Sequence, residues 1–165
     1  SNSNRQGVNR TQSRKNNVPG IDLKSLKNLP EEASPVHVKH SLNKTAPLHP
    51  VAPTENNSRH ITVRQLQYME IHLNKSGTPG STFTGCIMAG EKMFPLPVGS
   101  TLDKTEGIFY WMPAHAYFGT YQLVFIETAP DGGMIKTLVT IEVAPKFLPE
   151  LSPGISIFAS GLPVM

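Results

Sequence analysis

A single cysteine, Cys86, serves the whole chain of 165 residues. An internal disulfide is therefore excluded, and cysteine usage carries no argument for an oxidising compartment. Zinc needs three or four converging N or S ligands, so one cysteine also excludes the common cysteine-based zinc sites. Charge is sparse: Asp, Glu, Lys and Arg make up only 16% of residues. No apolar run approaches the ~18 residues that a membrane-spanning helix needs. No basic, apolar and small-residue succession of a signal peptide opens the chain. There is no Gly-x-Ser-x-Gly, no phosphate-binding loop and no His–Cys pairing pattern. After residue 60 no segment keeps a helical period. The chain starts without methionine and reads as an excised piece of a longer protein.

Proline and glycine, by contrast, are abundant, at 15 and 13 residues. That mix suits short strands with many turns, or a domain carrying an unstructured arm. Charge is also unevenly placed. Residues 1–60 hold nine Lys/Arg against four Asp/Glu, whereas residues 61–165 hold six against eight. The basic part is thus the amino-terminal stretch. Its cations are dilute, only Arg14 and Lys15 are adjacent, and no aromatic is interleaved before Tyr68. Phosphate binding needs clustered Lys/Arg, so nucleic acid is not an expected partner.

Residues 1–58 read as a disordered basic arm. Ser, Asn, Arg, Gln, Lys and Pro dominate, and scattered apolar residues such as Val8, Ile21 and Leu26 bury too little surface to offset ordering entropy. A short helix is expected near Asp22–Leu29, cut off by Pro30. Residues 59–146 read as the folded domain. Alternation marks a strand at His60–Arg64 and another at Tyr68–Leu73. Asn74–Gly80 is a loop by composition, and Ser81–Met88 is a third strand with Gly85 as a candidate bulge. Gly107–Met112 and Thr120–Thr128 follow, then a turn at Ala129–Gly133. Met134–Val143 returns, with Val139, Ile141 and Val143 alternating onto the core face. Residues 147–165 read as a tail or the start of a neighbouring unit, with a candidate strand at Ile155–Ala159. Several short strands at regular spacing predict an all-β sandwich.

Leu96-Pro-Val-Gly-Ser-Thr-Leu-Asp103 carries two core candidates, Leu96 and Leu102, around a bend at Pro97 and Gly99. Asp103–Gly107 is a turn in which Asp bonds its own backbone and Gly supplies positive φ. Phe109 and Trp111 lie two apart and share one strand face. Tyr121, after Gly119-Thr120, stands where a tyrosine corner would, and Phe125 shares its face.

Taken together, Leu-Pro-x-Gly, Gly-x-Phe-x-Trp-x-Pro, Gly-x-Tyr and Val139–Val143 resemble the dystroglycan-type cadherin-like domain, an immunoglobulin-like antiparallel β-sandwich. The motifs that carry the resemblance span residues 96–143. It implies a non-catalytic structural, adhesion or spacer module of a larger secreted or cell-surface protein. The partners so implied are other domains of the same chain and a protein or glycan ligand. The pattern departs from the family at Ala129-Pro130, where an Asp-Gly able to help bind calcium is usual. Asp103, Glu106 and Asp131 remain as oxygen donors, with turn-making as their other reading. No cofactor is expected, and calcium is not favoured.

The remaining candidates are weaker signals. His37-x-x-His40, His49, His60 and His72 are scattered and read as exposed polar residues. His115, Tyr117 and Phe118 form a candidate contact patch in the Pro113–Gly119 connection, with one ring packed and one exposed as the alternative. Asn9, Asn43, Asn56 and Asn74 begin glycosylation-type tripeptides, which matter only in a eukaryotic secretory pathway. A rival function is an accessory substrate-binding domain of a secreted hydrolase, which calls for an exposed aromatic strip. A third is an electrostatic tether through the basic arm.

Overall fold

The computed structural model describes residues 19–147. One helix, α1 (Leu23–Asn28), precedes ten strands: β1 (Val36–Lys39), β2 (His49–Val51), β3 (Ser58–Arg64), β4 (Met69–His72), β5 (Thr82–Ala89), β6 (Lys92–Phe94), β7 (Thr101–Asp103), β8 (Ile108–Trp111), β9 (Gly119–Thr128) and β10 (Met134–Ala144). They form two five-stranded sheets, ordered β2-β1-β4-β8-β7 and β3-β10-β9-β5-β6. The runs β1-β4-β8-β7 and β10-β9-β5 reproduce the ABED and GFC order of the immunoglobulin sandwich. Every ladder is antiparallel except one: β3 runs parallel to β10 from Ser58↔Leu138 to Arg64↔Ala144. The expected all-β sandwich is the fold, with that parallel edge pair as an addition to the antiparallel expectation.

Strand alternation places the core between the sheets. Phe109, Trp111, Phe125, Val139, Ile141 and Val143 are all buried, and Leu96, Leu102 and Tyr121 are partly buried against them. The Phe109 and Phe125 rings lie 5.2 Å apart at 58°, the tilted geometry that aromatic quadrupoles favour. Gly85 is not a bulge. The β5–β9 ladder runs unbroken from Thr82↔Thr128 to Met88↔Gln122, with Gly85 opposite Phe125. Glycine stands there because the Phe125 ring covers the site: a Cβ would lie 2.8 Å from Phe125 Cδ1.

The arm expected over residues 1–58 is corrected from residue 22 onward. Asp22 caps α1 by accepting from the Ser25 amide at 2.7 Å, and the helix ends before Pro30. Val36 and Val38 alternate into the core, and β1 pairs with β4 from His37↔His72 to Lys39↔Glu70. Composition averaged over sixty residues hides so short a strand. Four residues, Val-His-Val-Lys, suffice for a strand when a neighbouring sheet supplies the backbone partners. Arg59 ties the entry to the sheets. Its guanidinium is buried and donates to the carbonyls of Asn57, Glu32 and Ser34. The expectations for residues 1–18 and for a strand at Ile155–Ala159 lie outside the described residues.

A second, smaller core lies on the outer face of the β10-β9-β5 sheet. Leu26 of α1 covers Cys86, Val124 and Ile126. Strand β9 is therefore buried on both faces over Leu123–Glu127. Lys136 fastens the helix from the sheet side, its Nζ donating to the carbonyls of Leu26 at 3.0 Å and Lys27 at 2.8 Å. The Leu26 carbonyl also accepts from the Leu29 amide at 3.3 Å, so Lys136 adds a second donor at the helix end, where carbonyls run short of partners.

Candidate functional site

Strand directions gather the connections into two ends with opposite character. One end holds residues 40–48 (β1–β2), 65–68 (β3–β4), 95–100 (β6–β7), 112–118 (β8–β9) and the exit at 145–147. The other holds 73–81 (β4–β5), 104–107 (β7–β8) and 129–133 (β9–β10).

The first end is built on an aromatic cluster. Trp111 is buried, with Tyr117 edge-on at 5.1 Å and Tyr121 edge-on at 6.1 Å. The Tyr121 hydroxyl returns to its own strand entry, accepting from the Phe118 amide at 3.0 Å and donating to the Phe118 carbonyl at 3.1 Å. The Tyr117 hydroxyl accepts from the Val98 amide at 2.8 Å, which joins the β6–β7 and β8–β9 connections. Gln65 clamps three segments: its Nε2 donates to the carbonyls of His115 and Tyr117, and its Oε1 accepts from the Lys146 amide. Leu66 donates its amide to the Pro113 carbonyl at 2.7 Å.

The three residues of the candidate patch therefore part company. Tyr117 turns inward against Trp111, while His115 and Phe118 face outward, Phe118 with 63% of its surface accessible. Sequence reasoning missed the residues that extend this exposed surface. Leu42, Val98, Met112 and Phe147 are all exposed at the same end, and Leu48 and Leu66 are more than a third exposed. Leu42, Leu48, Leu66 and Val98 stand singly in polar or proline-rich loops, whereas Met112 and Phe147 lie just past the ends of β8 and β10. Only the topology brings them together.

The opposite end is polar, and its acids are committed to the backbone. Asp103 Oδ1 accepts from the amides of Thr105 and Glu106, and Gly107, at φ +68°, closes the turn onto the Asp103 carbonyl. Asp131 Oδ1 accepts from the Gly133 amide at 2.8 Å. Glu106 pairs with Lys75 at 2.8 Å. Buried Glu127 accepts from the Ser76 amide and hydroxyl and so holds the β4–β5 loop. The remaining oxygen donors Asp103, Glu106 and Asp131 thus serve as turn residues and an ion-pair partner. Among the described residues no group of three His, Cys, Asp or Glu converges on a metal-sized point.

Other titratable groups lie away from both ends. On the outer face of the first sheet, Glu70 accepts from the Tyr68 hydroxyl at 2.8 Å and pairs with His72. Burial pushes the Glu70 carboxyl up, but the Tyr68 and His72 bonds and the Lys39 charge outweigh it and hold the group below the usual carboxylate range. Burial, with Glu70 beside it, raises the Tyr68 hydroxyl. Burial pushes the Cys86 thiol up to about 11, so it is a packed hydrophobe with little thiolate at neutral pH. His40 bonds the Thr62 carbonyl, and His37, His49 and His60 are exposed on separate strands. An open groove of about 510 Å³ lies beside β7, lined by Gly85, Leu96, Val98, Leu102 and Lys104 among others.

No family model matches the chain, and no curated protein does. Among solved structures it is similar to the extracellular domain of a hybrid two-component system protein from B. thetaiotaomicron, at 11% identity and a TM-score of 0.42. That similarity covers 77% of this chain and 17% of the other. The chain therefore spans less than a fifth of that protein's length. No helix among the described residues is long and apolar enough to cross a membrane.

Proposed function

We propose that the chain is a non-catalytic structural or adhesion module of a larger secreted or cell-surface protein. Its work is to space and orient other domains of the same chain and to offer a protein or glycan contact through its loops. The observation that carries this reading is the use made of the motif positions. Gly107, Phe109, Trp111, Gly119 and Tyr121, the residues on which the cadherin-like resemblance rests, are spent on turns, core rings and a tyrosine corner. The acids nearest to the polar loops hold backbone amides or a neighbouring lysine, as structural groups do. The resemblance supports an extracellular setting and tandem neighbours.

An accessory substrate-binding role in a hydrolase needs an exposed aromatic platform. Trp111 is the only tryptophan and is 1% accessible, which counts against that reading. Trp111 emission separates the two. The module reading expects blue-shifted emission, weak quenching by acrylamide and no change on titration with soluble polysaccharides. Ready quenching together with a saturable polysaccharide-dependent shift would favour the accessory domain and reject the module.

A further inference from the structure

Strand β5 keeps one main-chain position unused. Its Phe83 amide turns away from β9 and donates to the Lys104 carbonyl at 2.8 Å. Its Ile87 faces Phe94 of β6, where the β5–β6 ladder starts. Main-chain groups alternate in direction along a strand, so Gly85, two residues from each, turns its N–H and C=O to that same side. No described strand or loop pairs with them there. Gly85 is buried, and a buried amide and carbonyl without partners cost free energy until something meets them.

The groove of about 510 Å³ beside β7 opens onto this position, a size within the roughly 300–1,000 Å³ of pre-formed ligand sites. β5 supplies one wall and β7 the other. The Phe83–Lys104 bond shuts one end, and the crossing from β6 to β7 at 95–100 shuts the other. That crossing is firmly held. The Ser100 amide and hydroxyl both donate to the Pro97 carbonyl, and the Val98 amide donates to the Tyr117 hydroxyl. Leu96 and Leu102, half-buried against the core, give the groove its apolar lining. Lys104 is the only charged residue of the lining, and it has no ion-pair partner among the described residues. The nearest acids in the chain are engaged elsewhere, Asp103 with the Thr105 and Glu106 amides and Glu106 with Lys75.

A pit closed at both ends, with a single free backbone position, does not admit a strand running past; it admits a chain end. We propose that it receives the carboxyl terminus of a partner polypeptide. The last residue sets an apolar side chain against Leu96 and Leu102, its main chain meets Gly85, and its carboxylate meets Lys104. Pairing on a strand edge and capture of a terminal carboxylate are both general modes of peptide recognition. The proposal specifies the protein contact of the module reading and rests on it.

The test uses the full 165-residue chain and the peptide acetyl-Ser-Thr-Val-Leu with a free carboxylate, titrated while backbone amide resonances are followed. Saturable shifts are expected at Gly85, Leu96 and Lys104. The carboxamide form of the peptide should bind several-fold more weakly. Lys104→Met should weaken the acid to the level of the carboxamide and leave the carboxamide unchanged. Lys104 is exposed, and unaltered Trp111 emission checks that the variant is folded. The proposal is overturned if millimolar acid gives no saturable shifts or gives them only outside the groove. It is also overturned if acid and carboxamide bind alike. Equal or tighter binding of acetyl-Ser-Leu-Asp-Ser carboxamide, whose carboxylate is internal, overturns it as well. Each of these outcomes leaves Trp111 quenching and the polysaccharide titration to decide the module reading, so the two failures are told apart.

Discussion

At the scale of single residues, Gly107 shows how little freedom the core leaves its turns. Its φ of +68° is a conformation that side chains rarely adopt, and a Cβ there would lie 2.8 Å from the Phe83 ring. Gly107→Ala is expected to cost roughly 1–3 kcal/mol from backbone strain and crowding, read as a lower midpoint in urea with an unchanged slope. Cys86 makes a different residue-level case. It is fully buried under α1, and its thiol is pushed up to about 11. It should not react with a disulfide reagent at pH 8 in the native protein, and should react once the protein is unfolded. The sign follows from linkage. The folded thiol holds its proton to higher pH than the unfolded one, so stability from this site is complete below the ordinary 9.0 and declines as pH rises from there towards 11.

At the scale of elements, residues 19–58 contribute α1, β1 and β2. Leu26→Ala removes the side chain that covers Val124, Ile126 and Cys86, and is expected to cost about 2–5 kcal/mol. The same substitution should speed native-state modification of Cys86, which a purely local fraying of the helix end would not do. Two carboxyls, Glu70 on the outer face of the first sheet and Glu32 between α1 and β1, predict acid sensitivity. Glu70 and Glu32 both titrate below the ordinary 4.5. Burial opposes this in each, and donated hydrogen bonds prevail, from Tyr68 and His72 for Glu70, and from Asn74 and the Ser34 and Ala33 amides for Glu32. Their contribution is present above 4.5 and is lost as pH falls through the folded-state values. Thermal midpoints should therefore drop steeply below that pH, and Glu70→Gln should flatten the drop. The strands β4, β5, β8, β9 and β10 were legible within a residue or two, because each alternates, or runs continuously apolar, over four residues or more. The helix was legible from Asp22 and Pro30. The signal for its packing partner was the unbroken Leu123-Val-Phe-Ile126, a run that a one-sided strand does not need.

At the scale of the whole molecule, the two sheets share one core through Trp111, Phe109 and Phe125, so unfolding should be a single transition reported alike by Trp111 emission and by circular dichroism. Millimolar calcium should leave that midpoint unmoved, because Asp103, Glu106 and Asp131 already have amide or lysine partners. A calcium-dependent rise would require ligands other than these. What the sequence by itself determined is the fold class, most strand positions and the core residues of the Gly107–Val143 stretch. Those follow from local rules, period-two alternation and turn chemistry, that act within a few residues. What only the tertiary structure decided is where the domain begins, which partners Arg59 and Lys136 take, how His115, Tyr117 and Phe118 divide, and the gathering of Leu66, Val98, Met112 and Phe147 at one end. Each of those depends on contacts between residues tens of positions apart, and sheet order alone brings such residues together.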